Sequence, residues 1–220
     1  NEVQFTSDVS HELRTPITVI LTQSEYGKNH IKSVEEAQRS FGIIEKEGQK
    51  MSKLVSQLLT LARMERGKQK LNLENINLSE LLEMTVETQI CAAEAKNIKF
   101  VTKIVPEIYA KIDEMMIIRV FTNLISNAIS YGKQNGTVIV ELFLDENKNK
   151  IISRISDDGI GIPKNELDKI WLRFYQVDPS KSGDNSGLGL SMVKKIIELH
   201  NGEIFVESEF GLGTTFTVIL

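Results

Sequence analysis

"SDVSHELRTPITVIL", Ser7 to Leu21, reads as a helix with a histidine on its outer side. With successive residues about 100° apart, Phe5, Val9, Leu13, Ile17 and Ile20 share one face, and His11 points away from it. Asp8 and Thr15 lie one turn either side of His11 on that outward face, and Glu12 adjoins it. Pro16 then falls inside the helical pattern, where it lacks the N–H that would bond the Glu12 carbonyl and its ring crowds that oxygen. The stretch establishes an amphipathic helix and leaves the histidine to be explained by the rest of the chain.

Helical patterning continues to about residue 70 with no further proline. Ile44, Met51 and Leu58 are spaced by seven, and Leu54 and Leu61 follow the last two by three, an a/d seam interrupted by Glu47. Between the two helices, "YGKNHIKSVEE" supplies a stop at Gly27 and Asn29 and an N-cap at Ser33 ahead of acidic residues. Two antiparallel helices do not bury such a seam between themselves. The pattern therefore predicts a four-helix bundle made by two copies, a homodimer through residues 1–68. Packing of the seam on a second domain is the alternative.

Residues 69–77, within "RMERGKQKLNLENINLSEL", read as a polar linker ending at an N-cap at Asn77 or Ser79. From 78 to 220 helical stretches (near 78–96, 113–132 and 187–200) alternate with strand-like runs: "IKFVTKI", "TVIVELFLD", "KIISRISDD", "GEIFVES" and "TTFTVIL". "DENKNK", Asp145 to Lys150, is a polar hairpin turn between two of them. Strands that cluster late and join through short turns favour an α+β sheet with helices on one face over a doubly wound fold.

The bulk numbers exclude several classes. With 41% hydrophobic and 25% charged residues the 220-residue chain is globular rather than disordered. Its 26 basic and 30 acidic residues, net −4, with no dense Lys/Arg run, argue against a nucleic-acid binder. A single cysteine, Cys91, forms no internal disulfide, which fits a reducing compartment, and it reads as a small buried apolar residue. No apolar run reaches the 18 or so residues of a membrane span. The chain starts without Met and in mid-helix, as expected of part of a longer protein.

Several motifs are individually weak. In "TNLISNAISYG", Asn123 and Asn127 are four apart on one helical face. One asparagine alone reads as a surface or capping residue, but two stacked in an amphipathic stretch more often serve a buried polar need, and their amide oxygens suit a hard cation such as Mg²⁺. "SDDGIGIP" holds an Asp-Gly turn signal, but Gly161 follows too soon for a simple hairpin and Pro163 starts another helix. "SGDNSGLGL" carries Gly183, Gly187 and Gly189 into an amphipathic helix, an arrangement that offers backbone N–H groups to phosphate. It is neither a Walker A loop nor a Rossmann fingerprint.

Their order is specific. "HELRTP", "NLISNAISY", "DDGIGI", "RFY", "NSGLGL" and "GLGTTF" occur in that sequence along one chain. The series resembles the histidine, asparagine, first glycine, phenylalanine, second glycine and third glycine boxes of the sensor histidine kinases of two-component systems, over essentially all of the chain. The resemblance implies a dimeric helical hairpin followed by a two-layer α/β sandwich ATP-binding domain of the GHKL (Bergerat) type. It implies ATP and Mg²⁺ as ligands, autophosphorylation, and transfer to an aspartate on the receiver domain of a response regulator. It also implies the cytoplasmic portion of a membrane-anchored bacterial sensor, touching the membrane only through segments absent from this chain.

By that similarity His11 is the phosphoacceptor: a neutral imidazole outside the apolar face keeps one lone pair accessible to both ATP and a partner. Glu12 would orient the ring and take its other proton. Pro16 would kink and loosen the helix just past His11, and Thr15 matches the position that holds a water for dephosphorylating the partner. Asn127 would bind Mg²⁺, with Asn123 supporting it. Asp157 would accept from the adenine amino group, Gly159 and Gly161 would let the chain approach the base, and Tyr131 would line the site. Gly187, Leu188 and Gly189 would bring backbone amides to the phosphates, and residues 178–187 would form an ATP lid based on Trp171 and Phe174.

Three positions depart from the family pattern. Ser130 stands where many relatives carry Lys, Gln176 where many carry Arg, and Asn185 replaces the first glycine of its box. Lys133, Lys181 and Arg173 are the candidates to replace the lost charge, which phosphoryl transfer uses. Two rivals remain. ATPase clamps share the ATP-binding fold, but place it first in the chain and follow it with a transducer domain. A non-catalytic ATP-binding scaffold is kept open by Ser130 and Gln176. His30 and His200 read as surface or capping residues.

Overall fold

A computed structural model describes residues 2–67, 69–147, 149–178 and 186–220, with side chains from residue 7 onward. Lys181, Gly183, Asn185, the Phe5 side chain and most of the expected lid lie outside the described residues. The chain divides into two compact units, 1–66 and 67–220.

The first unit is a hairpin of α1 (Glu2–Asn29) and α2 (Val34–Glu65). Ser33 caps α2, accepting from the Glu36 N–H at 3.2 Å, while the Glu36 carboxylate accepts from the Lys32 N–H at 3.0 Å; this pairing satisfies donors that a helix start leaves open. Leu54 and Leu61 are buried, Ile44, Met51 and Leu58 half-buried. Glu47, the residue that interrupts the seam, is half-buried and paired with Lys50 at 2.9 Å. Across the hairpin the buried Ser40 hydroxyl donates to the Gln23 amide oxygen at 3.0 Å. α1 runs unbroken through a buried Pro16. No described helix is long and apolar enough to cross a membrane.

The second unit is a two-layer α/β sandwich. Its five-stranded sheet has the order β2-β4-β5-β7-β6, with β2 (Lys99–Ile104) parallel to β4 (Thr137–Asp145) and every other pair antiparallel. Strand period two puts alternate residues on one face: Val138, Val140 and Leu142 of β4, Ile155 of β5 (Lys150–Asp157), and Phe216 and Val218 of β7 (Gly213–Ile219) are all buried. The helix α5 (Glu114–Tyr131) packs on β4 and β5 and contacts α3 (Leu78–Thr88) and α6 (Gly189–Leu199); α6 also meets β6 (Glu203–Glu209). Buried Ile117, Val120, Phe121, Leu124, Ile125 and Ala128 form the core stripe of α5. Each large side chain so buried contributes about 1.5–3 kcal/mol.

Four local expectations are corrected. The stretch 69–77 is not all linker, because Glu74–Asn77 is a strand, β1, paired antiparallel with β3 (Tyr109–Ile112). Asn77 is the cap of α3, whereas Ser79 is buried, donating to the Val105 carbonyl at 2.7 Å and accepting from the Ile108 N–H at 3.1 Å. The helix expected over 78–96 is two, α3 and the short α4 (Ile90–Glu94); Thr85 and Thr88 turn their hydroxyls back onto the carbonyls of Leu81 and Thr85 near the break. Because α4 buries only Ala93, Cys91 is exposed rather than buried. After Pro163 there is one 3₁₀ turn, Lys164–Glu166, in place of a longer helix.

Candidate functional site

Strand β5 delivers Asp157 to its end, in register with Thr214 of β7. The Asp157 Oδ1 accepts from the Gly159 N–H at 2.8 Å. Burial pushes the Asp157 carboxyl up to about 6; the Gly159 N–H opposes that rise, the Asp158 charge adds to it and the Thr214 N–H opposes it again. Asp157 lies in the wall of a cavity of about 390 Å³, together with Asn127 and Tyr131 from the last turns of α5. Ile160, Ile170, Leu190 and Phe216 give it apolar sides. A small-molecule site has this character: a mostly apolar cleft with a few placed polar groups.

The glycines act by close backbone approach. A Cβ on Gly159 would stand 2.2 Å from the Tyr131 carbonyl oxygen and 2.6 Å from Asp157 Oδ1. Gly161, at φ +65°, would meet the Glu209 carbonyl at 2.1 Å. Of the two, Gly161 lines the cavity, and Gly159 packs the loop against the end of α5. Gly187, at φ +68°, lies against the backbone of Phe174, itself at φ +59°, which is rare for an aromatic residue. Leu188 is fully buried and Gly189 opens α6.

Among the described residues no side chain caps α6 and no acidic residue occupies its first turn, so its N–H groups and dipole suit an anion. Asn123 does not line the cavity. Its Nδ2 donates to the Arg119 carbonyl at 2.7 Å, and its Oδ1 faces Gly189. The expected site residues thus divide into two groups: Asn127, Tyr131, Asp157 and Gly161 line the cavity, while Asn123, Gly159, Gly187, Leu188 and Gly189 hold the surrounding backbone.

Sequence reasoning missed much of the cavity wall: Ile170, Tyr175, Leu190, Phe210 and Phe216. Apolar side chains around a cavity carry no signal that separates them from core. Tyr175 is fixed by its hydroxyl, which donates to Glu166, and Trp171 meets Phe216 edge-on with ring centres 6.0 Å apart. Gln176 also lines the cavity. The Ser130 carbonyl accepts from the Lys96 ammonium at 2.6 Å, and Lys133 donates to the Gly211 carbonyl at 3.1 Å. Arg173 is half-buried, and burial lowers its pKa. The described residues contain no cluster of three or more His, Cys, Asp or Glu able to hold a metal by themselves.

On the hairpin, His11, Glu12 and Thr15 are exposed on α1, as the helical wheel expects. Partial burial and the nearby Asp8 carboxylate hold the Glu12 carboxyl above its ordinary value, with His11 acting in the opposite direction. His200 is half-buried and serves as a cap: its Nδ1 bonds the Ile196 carbonyl at 2.8 Å and its Nε2 accepts from the Asp113 N–H at 3.0 Å. His30 is exposed and stacks on Tyr26.

Comparison with known proteins gives the same two parts. Residues 1–67 match the His Kinase A (phospho-acceptor) domain, and residues 112–220 match the histidine kinase-, DNA gyrase B- and HSP90-like ATPase family. Sensor histidine kinase WalK of Bacillus subtilis is 30% identical over 221 residues, and sensor protein kinase WalK of Staphylococcus epidermidis 35% over 223 residues. Each alignment covers 99% of this chain, which spans 36% of the length of either relative. Histidine kinase AdeS of Acinetobacter baumannii has the same fold, with a TM-score of 0.79 at 24% identity over 96% of both chains. Histidine kinase ThkA, solved in complex with the response regulator protein TrrA, gives a TM-score of 0.77 at 26% identity, covering 99% of this chain and 60% of that one. The chain belongs to the sensor histidine kinases of two-component systems, of which it carries the phospho-acceptor hairpin and the ATPase domain.

Proposed function

We propose that the chain binds ATP in the cavity beside Asp157, transfers the γ-phosphoryl group to His11, and passes it to an aspartate on the receiver domain of a response regulator. The observation that carries this reading is the half-buried Asp157 carboxylate in the wall of a mostly apolar cavity that also has Asn127 in its wall. An ionised carboxylate there accepts from the exocyclic amino group of adenine, and apolar walls cover the base. The open N-terminus of α6 fits the phosphates. Asn127 would hold Mg²⁺ through its amide oxygen, the phosphates supplying further ligands; when bound, the ion neutralises charge on the transferring group.

His11 attacks through a neutral ring nitrogen. The P–N bond forms as the bond to the ADP oxygen breaks, and Glu12, with its raised pKa, takes the proton from the other ring nitrogen. In the second step the regulator's carboxylate displaces the imidazole. Thr15, one turn away and exposed, is the candidate to orient a water for the reverse regulation, dephosphorylation of the partner. Gln176 at the cavity gives a hydrogen-bonding group where many relatives have a cation, so turnover is expected to be slow rather than absent.

Exposed Ile17 and Leu21 on α1 and Val55 and Leu59 on α2, each pair at helical spacing i, i+4, support a homodimer closing a four-helix bundle. The cytoplasmic side of a membrane-anchored sensor is the setting that fits a chain spanning 36% of its WalK relatives. Mass spectrometry after incubation with ATP and Mg²⁺ tests the proposal. A phosphoryl increment on the His11 peptide, moving to an aspartate when a receiver domain is added, supports it; modification at another residue, or none, overturns it.

A further inference from the structure

The turn between β6 and β7 leaves two large apolar side chains in water, Phe210 at 68% and Leu212 at 64% exposure. Isolated exposed apolar residues need no explanation, and Leu212 does not line the cavity. Phe210 does. Phe210 is therefore part of the wall of the nucleotide cavity and, at 68% exposure, largely open to solvent.

The backbone that presents the ring is braced on several sides. The Gly211 N–H donates to the Ile160 carbonyl at 2.8 Å, and the Leu212 N–H to the Glu209 carbonyl at 3.0 Å. The Lys133 ammonium donates to the Gly211 carbonyl at 3.1 Å. A Cβ on Gly161 would lie 2.1 Å from the Glu209 carbonyl oxygen and 3.0 Å from the Phe210 Cα. The turn is thus pressed onto the loop that follows Asp157, and Ile160 and Gly161 of that loop share the cavity wall with Phe210. Thr214, in the wall just beyond the turn, is in register with Asp157. The ring and the base-accepting carboxylate are held by the same pair of packed backbones.

We propose that Phe210 is a base-positioning residue, whose exposed phenyl ring packs on the purine of a nucleotide held at Asp157. The inference rests on the nucleotide reading above and adds to it a residue outside the motif's glycines. A planar base covering the ring removes its apolar surface from water and stacks on its π-face, whereas a phosphate gains nothing from it. A ring this exposed adds little to the stability of the free protein, so binding and folding effects separate.

Calorimetric titration of the chain with ATP, in parallel with thermal unfolding of the free protein, tests this. Phe210→Ala is expected to weaken ATP about tenfold and leave the midpoint of unfolding in place. Phe210→Trp restores the affinity by supplying another ring. Leu212→Ala, in the same turn, leaves affinity unchanged. Unchanged ATP affinity in Phe210→Ala overturns the inference, as does a loss that Trp does not restore or one that follows a fall in the unfolding midpoint. If the unaltered chain binds no ATP, the nucleotide reading itself falls, and this inference with it.

Discussion

The amide oxygen of Asn123 stands 2.8 Å from the position a Cβ on Gly189 would take. Because the Asn123 Nδ2 is held at the Arg119 carbonyl, that oxygen is not free to swing away. Gly189 is thus required where α6 begins against α5. Gly189→Ala favours helix by about 1 kcal/mol intrinsically, yet it pushes the start of α6 off its seat. The expected result is several-fold weaker ATP binding, and Asn123→Ala with Gly189→Ala should bind better than Gly189→Ala alone. A double-mutant cycle by calorimetry reads the coupling, expected at about 1 kcal/mol.

Asp157 sets opposite pH dependences for stability and for ligand binding. Its carboxyl titrates near 6 in the folded chain, above the 3.8 expected when unfolded. Between those values the folded state takes up a proton that the unfolded state does not. This group alone therefore stabilises the fold as pH falls through about 6, by up to about 3 kcal/mol once pH is below 4. If Asp157 accepts from the adenine amino group, as proposed, ATP binding needs the ionised form, and affinity is expected to fall by up to about tenfold per pH unit below 6. Asp157→Asn should remove the Asp157 step from both curves, as measured by unfolding and titration across pH 5–8.

Asp113 is a junction between elements distant in sequence. Its Oδ1 accepts from the Met116 N–H at 3.1 Å and caps α5, its Oδ2 accepts from the Asn72 N–H at 3.0 Å, and its own N–H donates to His200. Asp113→Ala leaves two of these donors without their acceptor in a site that is only 8% exposed. A loss of about 2–3 kcal/mol is expected in urea unfolding.

The large elements were legible because one period governs each of them. β4 and β7 alternate cleanly, and α5 places Ile117, Val120, Phe121, Leu124 and Ala128 on one stripe. β1 and β3 were not legible: "ENIN" and "YAKI" are four residues each, and they become strands only by pairing with one another across the chain. Cys91 misled for a related reason. A small apolar residue reads as buried, but α4 is a single short helix that turns it outward. At the site, ordered motifs pointed to Asn127, Tyr131 and Asp157. They could not separate the cavity-lining residues from backbone spacers such as Gly159, nor mark Phe210, which carries no motif.

Ser153 is a local flaw in the core. It faces inward from β5 beside Leu142 and Val218, it is 1% exposed, and among the described residues its hydroxyl has no hydrogen-bond partner. Removing an unsatisfied buried hydroxyl without opening a large cavity is favourable. Ser153→Ala should stabilise the chain by about 1 kcal/mol in urea unfolding, with ATP binding unchanged.

The central claim is that one chain joins a nucleotide site at Asn127 and Asp157 to a phosphoacceptor at His11. Its most direct test is incubation with γ-labelled ATP and Mg²⁺, comparing the unaltered chain with His11→Gln and Asn127→Ala. Label that is acid-labile and base-stable, present in the unaltered chain and absent from both variants, is the predicted result. ATP binding with no label in the unaltered chain, or label that survives His11→Gln, would contradict the account.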